Sequence, residues 1–383
     1  MKSKSVLFQL VPVMLAFFAM GAVDMVGIAS NYVKADFGLS DTVASLFSSM
    51  VFFWFFVFSV PTGLLMNKIG RRKTVLLSLA VTAMALIVPV ISYNFVLMMF
   101  SFALLGIGNT LMQVSLNPLI SNVVVGDKMA STLTFGQFVK AIASFTAPLL
   151  AGWAVLRFGD WKLIYPVYAG TTVLAFALLG ITKIEEKPYE SKSSFADCFR
   201  LLGKGYIFLF FLGIMAHVGI DVGINVISAK ILMERTGMTL ADAGAATSVY
   251  FLFRLFGCLS GTFILARFSI KKFFVISCVL MALSVLLLLV SSDATFLYIG
   301  IALFGFGNSN IFPMIFSTAI RSMPERENEI SGMMIMGIAG GAIFPLLMGV
   351  ASDALAAQNG AVIVAALLVA YLLLLSPKIK KLP

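Results

Sequence analysis

The chain has 383 residues, 60% of them hydrophobic and only 11% charged, with a mean hydropathy of +1.03 and a net charge of +10. Soluble domains average about 25% charged residues, and the apolar runs here repeatedly reach the roughly 20 residues that cross a bilayer, so a water-soluble enzyme or binding domain is excluded. The basic excess does not indicate nucleic acid, because it is spread over short segments between apolar runs.

Twelve transmembrane helices are predicted, at 8–33, 43–66, 73–93, 96–124, 129–156, 163–183, 206–232, 242–266, 273–291, 294–321, 327–356 and 360–376. The first has no small-residue cleavage site behind it and reads as a retained span. It carries Asp24, Gly27 and Asn31 on one face. A basic turn, "GLLMNKIGRRK" from Gly63, follows the second span. The fourth span places Asn109, Gln113 and Asn117 at i, i+4, i+8, and the fifth places Gln137, Lys140 and Ser144 at i, i+3, i+7. After the sixth comes the longest polar stretch, 185–205, a linker between an N-terminal half (1–184) and a C-terminal half (206–383). The seventh span carries His217, Asp221 and Asn225 at i, i+4, i+8, the eighth Tyr250 and Arg254, and the tenth Asn310, Pro313 and Ser317. Cys198, Cys258 and Cys278 fit no metal spacing.

With both termini cytoplasmic, 20 Lys and Arg fall on the cytoplasmic side and five on the other: Lys34, Arg157, Lys162, Lys230 and Arg235. The positive-inside rule therefore predicts that orientation, in a cytoplasmic (inner) membrane. Four ionisable residues of firm charge remain at the middle depth of the spans: Asp24, Lys140, Asp221 and Arg254. Two acids balance two bases, and a polar stripe on an apolar span faces protein or a water-filled cavity rather than lipid. Singly, each amide also fits interhelical hydrogen-bond glue, and Asn117 fits a partner for backbone freed by Pro118. The arginine cannot deprotonate, so Asp221 and Arg254 also fit a structural ion pair.

The two halves echo each other. "ALLGIGNTLMQ" from Ala103 returns as "ALFGFGNSNIF" from Ala302, "APLLAG" from Ala147 as "FPLLMG" from Phe344, and "GLLMNKIGRRK" from Gly63 as "GTFILARFSIKK" from Gly261, at offsets of 199, 197 and 198. This implies a duplicated six-helix unit, an architecture of secondary transporters that bind substrate near the midplane between repeats. The basic turn resembles the loop between the second and third helices of the major facilitator superfamily, and Gly63, Asn67, Gly70, Arg71 and Arg72 are expected to form the gating loop. Asn67 stands where that family carries an aspartate. "MQVSLNP", "FPMIFSTAI" and "GGAIFPLLMGVASDA" resemble its fucose/proton symporter branch. Gln113 replaces that branch's fourth-span glutamate, and its first-span aspartate lies about a turn from Asp24, so its proton mechanism does not transfer.

The resulting expectation is a major facilitator fold of two pseudo-symmetric six-helix halves acting as a cation-coupled symporter of a neutral monosaccharide. Asp24 and Lys140 couple the ion, H⁺ or Na⁺. Asn31, Asn109, Gln113, Asn117, Gln137, Lys140, His217, Asp221, Asn225, Tyr250 and Asn310 line the substrate site, with Trp54 and Tyr250 as candidate stacking rings. Amides that donate and accept suit a polyol. An organic anion held by Lys140 and Arg254, or an efflux antiporter, is the alternative within transport. No Ser/His/Asp set, metal cluster or phosphate loop supports an enzyme, and no appended domain supports a sensor. No cofactor or nucleic acid is expected; lipid surrounds a monomer.

Overall fold

In the computed structural model, residues 2–39, 41–124, 128–186, 194–238, 243 and 245–379 are described. Over them the chain has twelve helices long and apolar enough to cross a bilayer, and no strand. Helices are the expected form, because the hydrocarbon core offers no water to the backbone and each span must satisfy its own N–H and C=O groups. The uninterrupted spans are the second (Asp41–Ile69), third (Arg71–Ile91), fourth (Phe95–Val123), fifth (Lys128–Phe158), sixth (Ile164–Ile181), seventh (Gly205–Thr236), eighth (Ala245–Arg267), ninth (Ile270–Val290) and twelfth (Asn359–Leu375).

Three spans depart from regular α-helix where the sequence predicts continuous runs. The first runs Lys2–Met20, passes through a 3₁₀ segment at Gly21–Met25 and resumes at Val26–Phe37. The tenth breaks between Ala294–Asn308 and Ile311–Arg321, and the eleventh passes through 3₁₀ geometry at Gly337–Ala339 between Glu327–Met336 and Gly340–Leu355. At two of these places a side chain of another helix bonds the backbone: Asn109 donates to the Met20 carbonyl and Cys258 Sγ to the Ser309 carbonyl.

Two compact units result. One comprises Met1–Met129, Gly136–Phe199 and Pro324–Met336; the other comprises Ala130–Phe135, Arg200–Met323 and Gly337–Pro383. In the first, spans two and three pack against span four, span six against span three, and Glu327–Met336 against spans two and four. In the second, spans eight and nine pack against span ten, while Gly340–Leu355 and span twelve pack against span seven.

The duplication is visible in matched contacts. A Cβ on Gly106 would stand 2.9 Å from the Val51 Cα, and one on Gly305 would stand 2.4 Å from the Tyr250 carbonyl oxygen. One turn-half further on, Gly108 backs onto Thr82 and Gly307 onto Ser277. The fourth and tenth spans thus lie against equivalent neighbours at backbone distance, as small residues allow. Both spans are also capped alike: the Asn94 Oδ1 accepts from the Leu97 N–H at 3.0 Å, and the Asp293 Oδ1 from the Thr295 N–H at 2.9 Å. Even a swapped bond is preserved, since Ser101 Oγ donates to the Ala85 carbonyl at 2.7 Å while Ser284 Oγ donates to the Gly300 carbonyl at 2.6 Å.

Gly305→Val is expected to destabilise the protein by about 1–3 kcal/mol, the usual cost of overpacking. Thermal unfolding in detergent measures it, with Gly170→Val as control, because a Cβ at Gly170 meets nothing within 4 Å.

Candidate functional site

In the first unit the broken span places Asp24 in the 3₁₀ segment. Gly21 permits this: a Cβ there would lie 2.7 Å from the Lys140 carbonyl oxygen and 2.6 Å from the Ala143 Cβ, so only glycine lets span one reach span five at this depth. Lys140 Nζ then lies 3.7 Å from Asp24 Oδ2, and Ser144 Oγ donates to the same oxygen at 2.5 Å. The pair is loose, and its side chains keep 18% and 42% of their exposure.

Beside it the predicted amide stripe forms a ladder. Asn109 Nδ2 donates to the Met20 carbonyl at 3.2 Å, the last carbonyl before the break. Gln113 Nε2 donates to Asn109 Oδ1 at 3.0 Å, and Asn117 Nδ2 to the Gln113 carbonyl at 2.7 Å. All three amides are buried. Pro118 leaves the Val114 carbonyl without its helical donor, and Ser331 Oγ takes that place at 2.6 Å. This corrects the reading of Asn117 as the proline's compensation. Asn117 Oδ1, Gln137 Nε2 and Trp54 Nε1 are buried with no hydrogen-bond partner among the described residues. Asn31 lies on Val26–Phe37, and its side chain falls outside the described residues.

In the second unit Asp221 is the centre of a tight network. Arg254 Nη1 donates to Asp221 Oδ2 at 2.7 Å, and the Tyr250 hydroxyl and Asn308 Nδ2 (3.0 Å) both donate to Asp221 Oδ1. His217 Nδ1 lies 2.8 Å from Asn308 Oδ1. Spans seven, eight and ten meet here. The Asp221 side chain is only 14% exposed, so this acid is held closely where Asp24 is held loosely. Tyr250 is fully buried, its hydroxyl committed to Asp221, and no ring face is open to a ligand. Asn225, two turns along span seven from His217, is half-buried. Asn310 sits at the break in span ten and donates to the Gly257 carbonyl at 2.9 Å.

Asn308 is a hub that the sequence reading misses. Its signal was present, because the offset of 199 aligns it with Asn109.

The basic turn after span two is built around Arg71. Its guanidinium donates to Asn328 Oδ1 (2.7 Å), the Pro118 carbonyl (3.1 Å), Ser121 Oγ (2.8 Å), Asn122 Oδ1 (2.8 Å) and Glu327 Oε2 (2.6 Å). Gly63 lets Asn328 approach, and Gly70 adopts a φ of +87°, a conformation that favours glycine. Glu186 then accepts the Arg71 and Arg72 backbone N–H groups at 2.6 and 2.8 Å, capping span three, while Arg72 reaches the Leu179 and Gly180 carbonyls. Asn67, where an aspartate was expected, donates to Glu329 Oε1 at 3.0 Å. The carboxylate lies on the opposite helix instead, and Glu329 is only 1% exposed. Glu186, Glu327, Asn328 and Glu329 are absent from the sequence-based site; the polar run "PERENE" at 324–329 was the signal for the last three, and Glu186 lay in the polar stretch 185–205.

Twelve apolar helices in a duplicated pattern define an integral membrane protein, and the family its sequence matches is one of transporters, not enzymes. The chain belongs to the major facilitator superfamily: the sequence model described as "Major Facilitator Superfamily" matches residues 13–227 and 209–382. Among its relatives, a protein named glucose/galactose transporter from Brucella abortus biovar 1 (strain 9-941) is 27% identical over 371 residues, covering 91% of this chain and 88% of the relative. The fold is similar to the crystal structure of the superfamily transporter FucP in the outward conformation, with a TM-score of 0.84 and 19% identity over 97% of this chain and 99% of that one. It is also similar to the proton:xylose symporter XylE bound to 6-bromo-6-deoxy-D-glucose, with a TM-score of 0.79 and 13% identity over 98% and 95% of the two chains.

Proposed function

We propose that the chain is a cation-coupled symporter of a neutral monosaccharide, with a hexose such as glucose or galactose as the first candidate. The observation that carries this reading is the loose Asp24–Lys140 pair beside a ladder of buried amides. The carboxylate offers a site for H⁺ or Na⁺, and neutral amides supply the paired donors and acceptors that a polyol needs. The charges cancel within each unit, Asp24 against Lys140 and Asp221 against Arg254, which favours a neutral solute over an anion. The names of relatives matched over 88% of their length, glucose/galactose transporter and putative glucose/galactose transporter, support the sugar. The coupling ion is the only further component, one chain is the working transporter, and the two termini lie in the cytoplasm of a cell whose inner membrane it spans.

The test is uptake into vesicles holding the purified protein, with proton and sodium gradients imposed separately. Labelled glucose or galactose should accumulate under one gradient and not under the other. Accumulation of a labelled carboxylate in preference to both sugars would overturn the reading.

Within that site Gln113→Ala is expected to weaken sugar binding by roughly 1–3 kcal/mol, the cost of leaving a buried partner unsatisfied. Calorimetric titration of the detergent-solubilised protein reads it directly. An unchanged Kd returns the ladder to a purely structural part.

A further inference from the structure

The outer end of the first helix in each unit is tied down by the same two loops. In the first unit Asp36, in Val26–Phe37, accepts through Oδ2 from the Tyr93 hydroxyl at 2.5 Å and from Trp161 Nε1 at 3.0 Å. Tyr93 lies between spans three and four, and Trp161 between spans five and six. In the second unit Arg235, at the end of span seven, donates to the Ser291 carbonyl at 2.6 Å and to the Asn359 Oδ1. Ser291 lies between spans nine and ten, and Asn359 begins span twelve. Residues 235, 291 and 359 stand opposite 36, 93 and 161 at offsets of 199, 198 and 198, the offsets of the duplication itself. The clasp has been kept while its polarity has been inverted, an acceptor in one repeat and a donor in the other.

The first clasp is the more heavily built. Tyr32 stacks on Trp161 with centroids 5.0 Å apart, Phe37 stacks on Tyr93 at the same distance, and Lys162 Nζ lies 4.6 Å from the centre of the Tyr93 ring. Burial, aided by the Asp36 carboxylate, pushes the Tyr93 phenol above its ordinary range, so it remains a donor throughout the physiological pH range. The two repeats differ in what the clasp must hold. Span seven is one unbroken helix from Gly205 to Thr236, so Asp221 is positioned by its own helix. Span one changes from α to 3₁₀ geometry at Gly21–Met25, with the Val26 N–H still bonded to the Val23 carbonyl, so Asp24 reaches Val26–Phe37 through a tighter turn of poorer hydrogen-bond geometry, the kind of stretch that acts as a hinge.

We propose that Asp36 is a positioning residue for Asp24: by fixing the outer half-helix from its far end, it sets the geometry of the break in which Asp24 meets Lys140. Arg235, its counterpart in the second repeat, has no such role because the helix beneath it is continuous. The functional half of this inference rests on the reading of Asp24 as the coupling residue, and the experiment separates the two.

Spin labels are placed at Ala35→Cys and Phe158→Cys with the three buried native cysteines replaced, and the distance distribution between them is measured in the reconstituted protein. Accumulation ratio and substrate exchange are read on the same variants. Asp36→Ala should broaden the distribution and lower the accumulation ratio by about fivefold or more, the low end of ordinary coupling free energies, with exchange retained. Asp36→Asn, which still accepts both hydrogen bonds, should restore both readings. Trp161→Phe removes one donor but keeps the stack on Tyr32, and should fall between them. Arg235→Ala should accumulate sugar as the parent does.

A narrow distribution in Asp36→Ala overturns the positioning role whatever the transport result. An equal loss of accumulation in Arg235→Ala overturns it too, since the effect would then not depend on the break. Asp24→Asn is the separate control. If that variant accumulates sugar normally, the coupling assignment fails, and with it the functional half of the inference, while the distance measurement still decides the anchor.

Discussion

Asp24→Asn is expected to abolish gradient-driven accumulation and leave substrate exchange across the membrane intact. The carboxylate sits in a break of span one, 42% exposed, at 3.7 Å from Lys140 Nζ. In the mechanism we propose, the ammonium holds it weakly at that separation and an arriving H⁺ or Na⁺ takes its place. Lys140, with three donors on a flexible stem, is then released toward the substrate's oxygens. On that proposal ion and sugar favour each other's binding, and by linkage the coupling would be reciprocal. The asparagine can still accept from Ser144, so the fold is retained while the ion site is lost. Lys140→Ala should lower sugar affinity by about fivefold or more and remove its dependence on the coupling ion. Binding measured with and without the ion in the two variants is the check. If Lys140→Ala accumulates sugar with an unchanged ion dependence, the lysine is only a counter-charge that packs two helices.

The second large effect is expected at Asp221 and Arg254. Removing one partner strands a charge at mid-depth, and Arg254→Leu or Asp221→Leu alone should cost about 3 kcal/mol of stability. The figure is taken at the low end of that range because the guanidinium keeps 29% of its exposure. The double variant should be more stable than either single one, since no uncompensated charge remains. Asp221→Leu should be the more damaging of the two, because it also orphans the Tyr250 hydroxyl and an Asn308 donor. Thermal unfolding of the four proteins in detergent completes the cycle. Single variants that unfold at the parental temperature but transport nothing would move the pair from the scaffold into the mechanism.

Cys198, in the short helix Phe195–Arg200 after the sixth span, is buried. Burial and the nearby Glu329 push its thiol up to about 11, so it stays a thiol at neutral pH and reacts slowly.

The sequence alone determined the solvent, the number of spans and the duplication. These properties depend on composition and period, and each apolar run must form a helix in lipid wherever its neighbours lie. It also determined which polar residues share a face, because i, i+4, i+8 spacing fixes that for Asn109, Gln113 and Asn117 before any packing is known. The tertiary structure decided the partners. Whether span one breaks beneath Asp24 depends on Gly21 meeting the backbone of span five, and no local pattern in "MGAVDMVGIAS" encodes that neighbour. The same reason separates two acids that look alike in sequence. Asp24 has one distant ammonium and a hydroxyl, whereas Asp221 gathers donors from spans eight and ten. The acids at 327 and 329 read as a polar helix start, and only the packing of Glu327–Met336 in the first unit brings them to Arg71 and Asn67. Hydrogen-bond partners hundreds of residues apart are fixed by which helices touch, and a single sequence carries the periodicity of each helix but not the list of its neighbours.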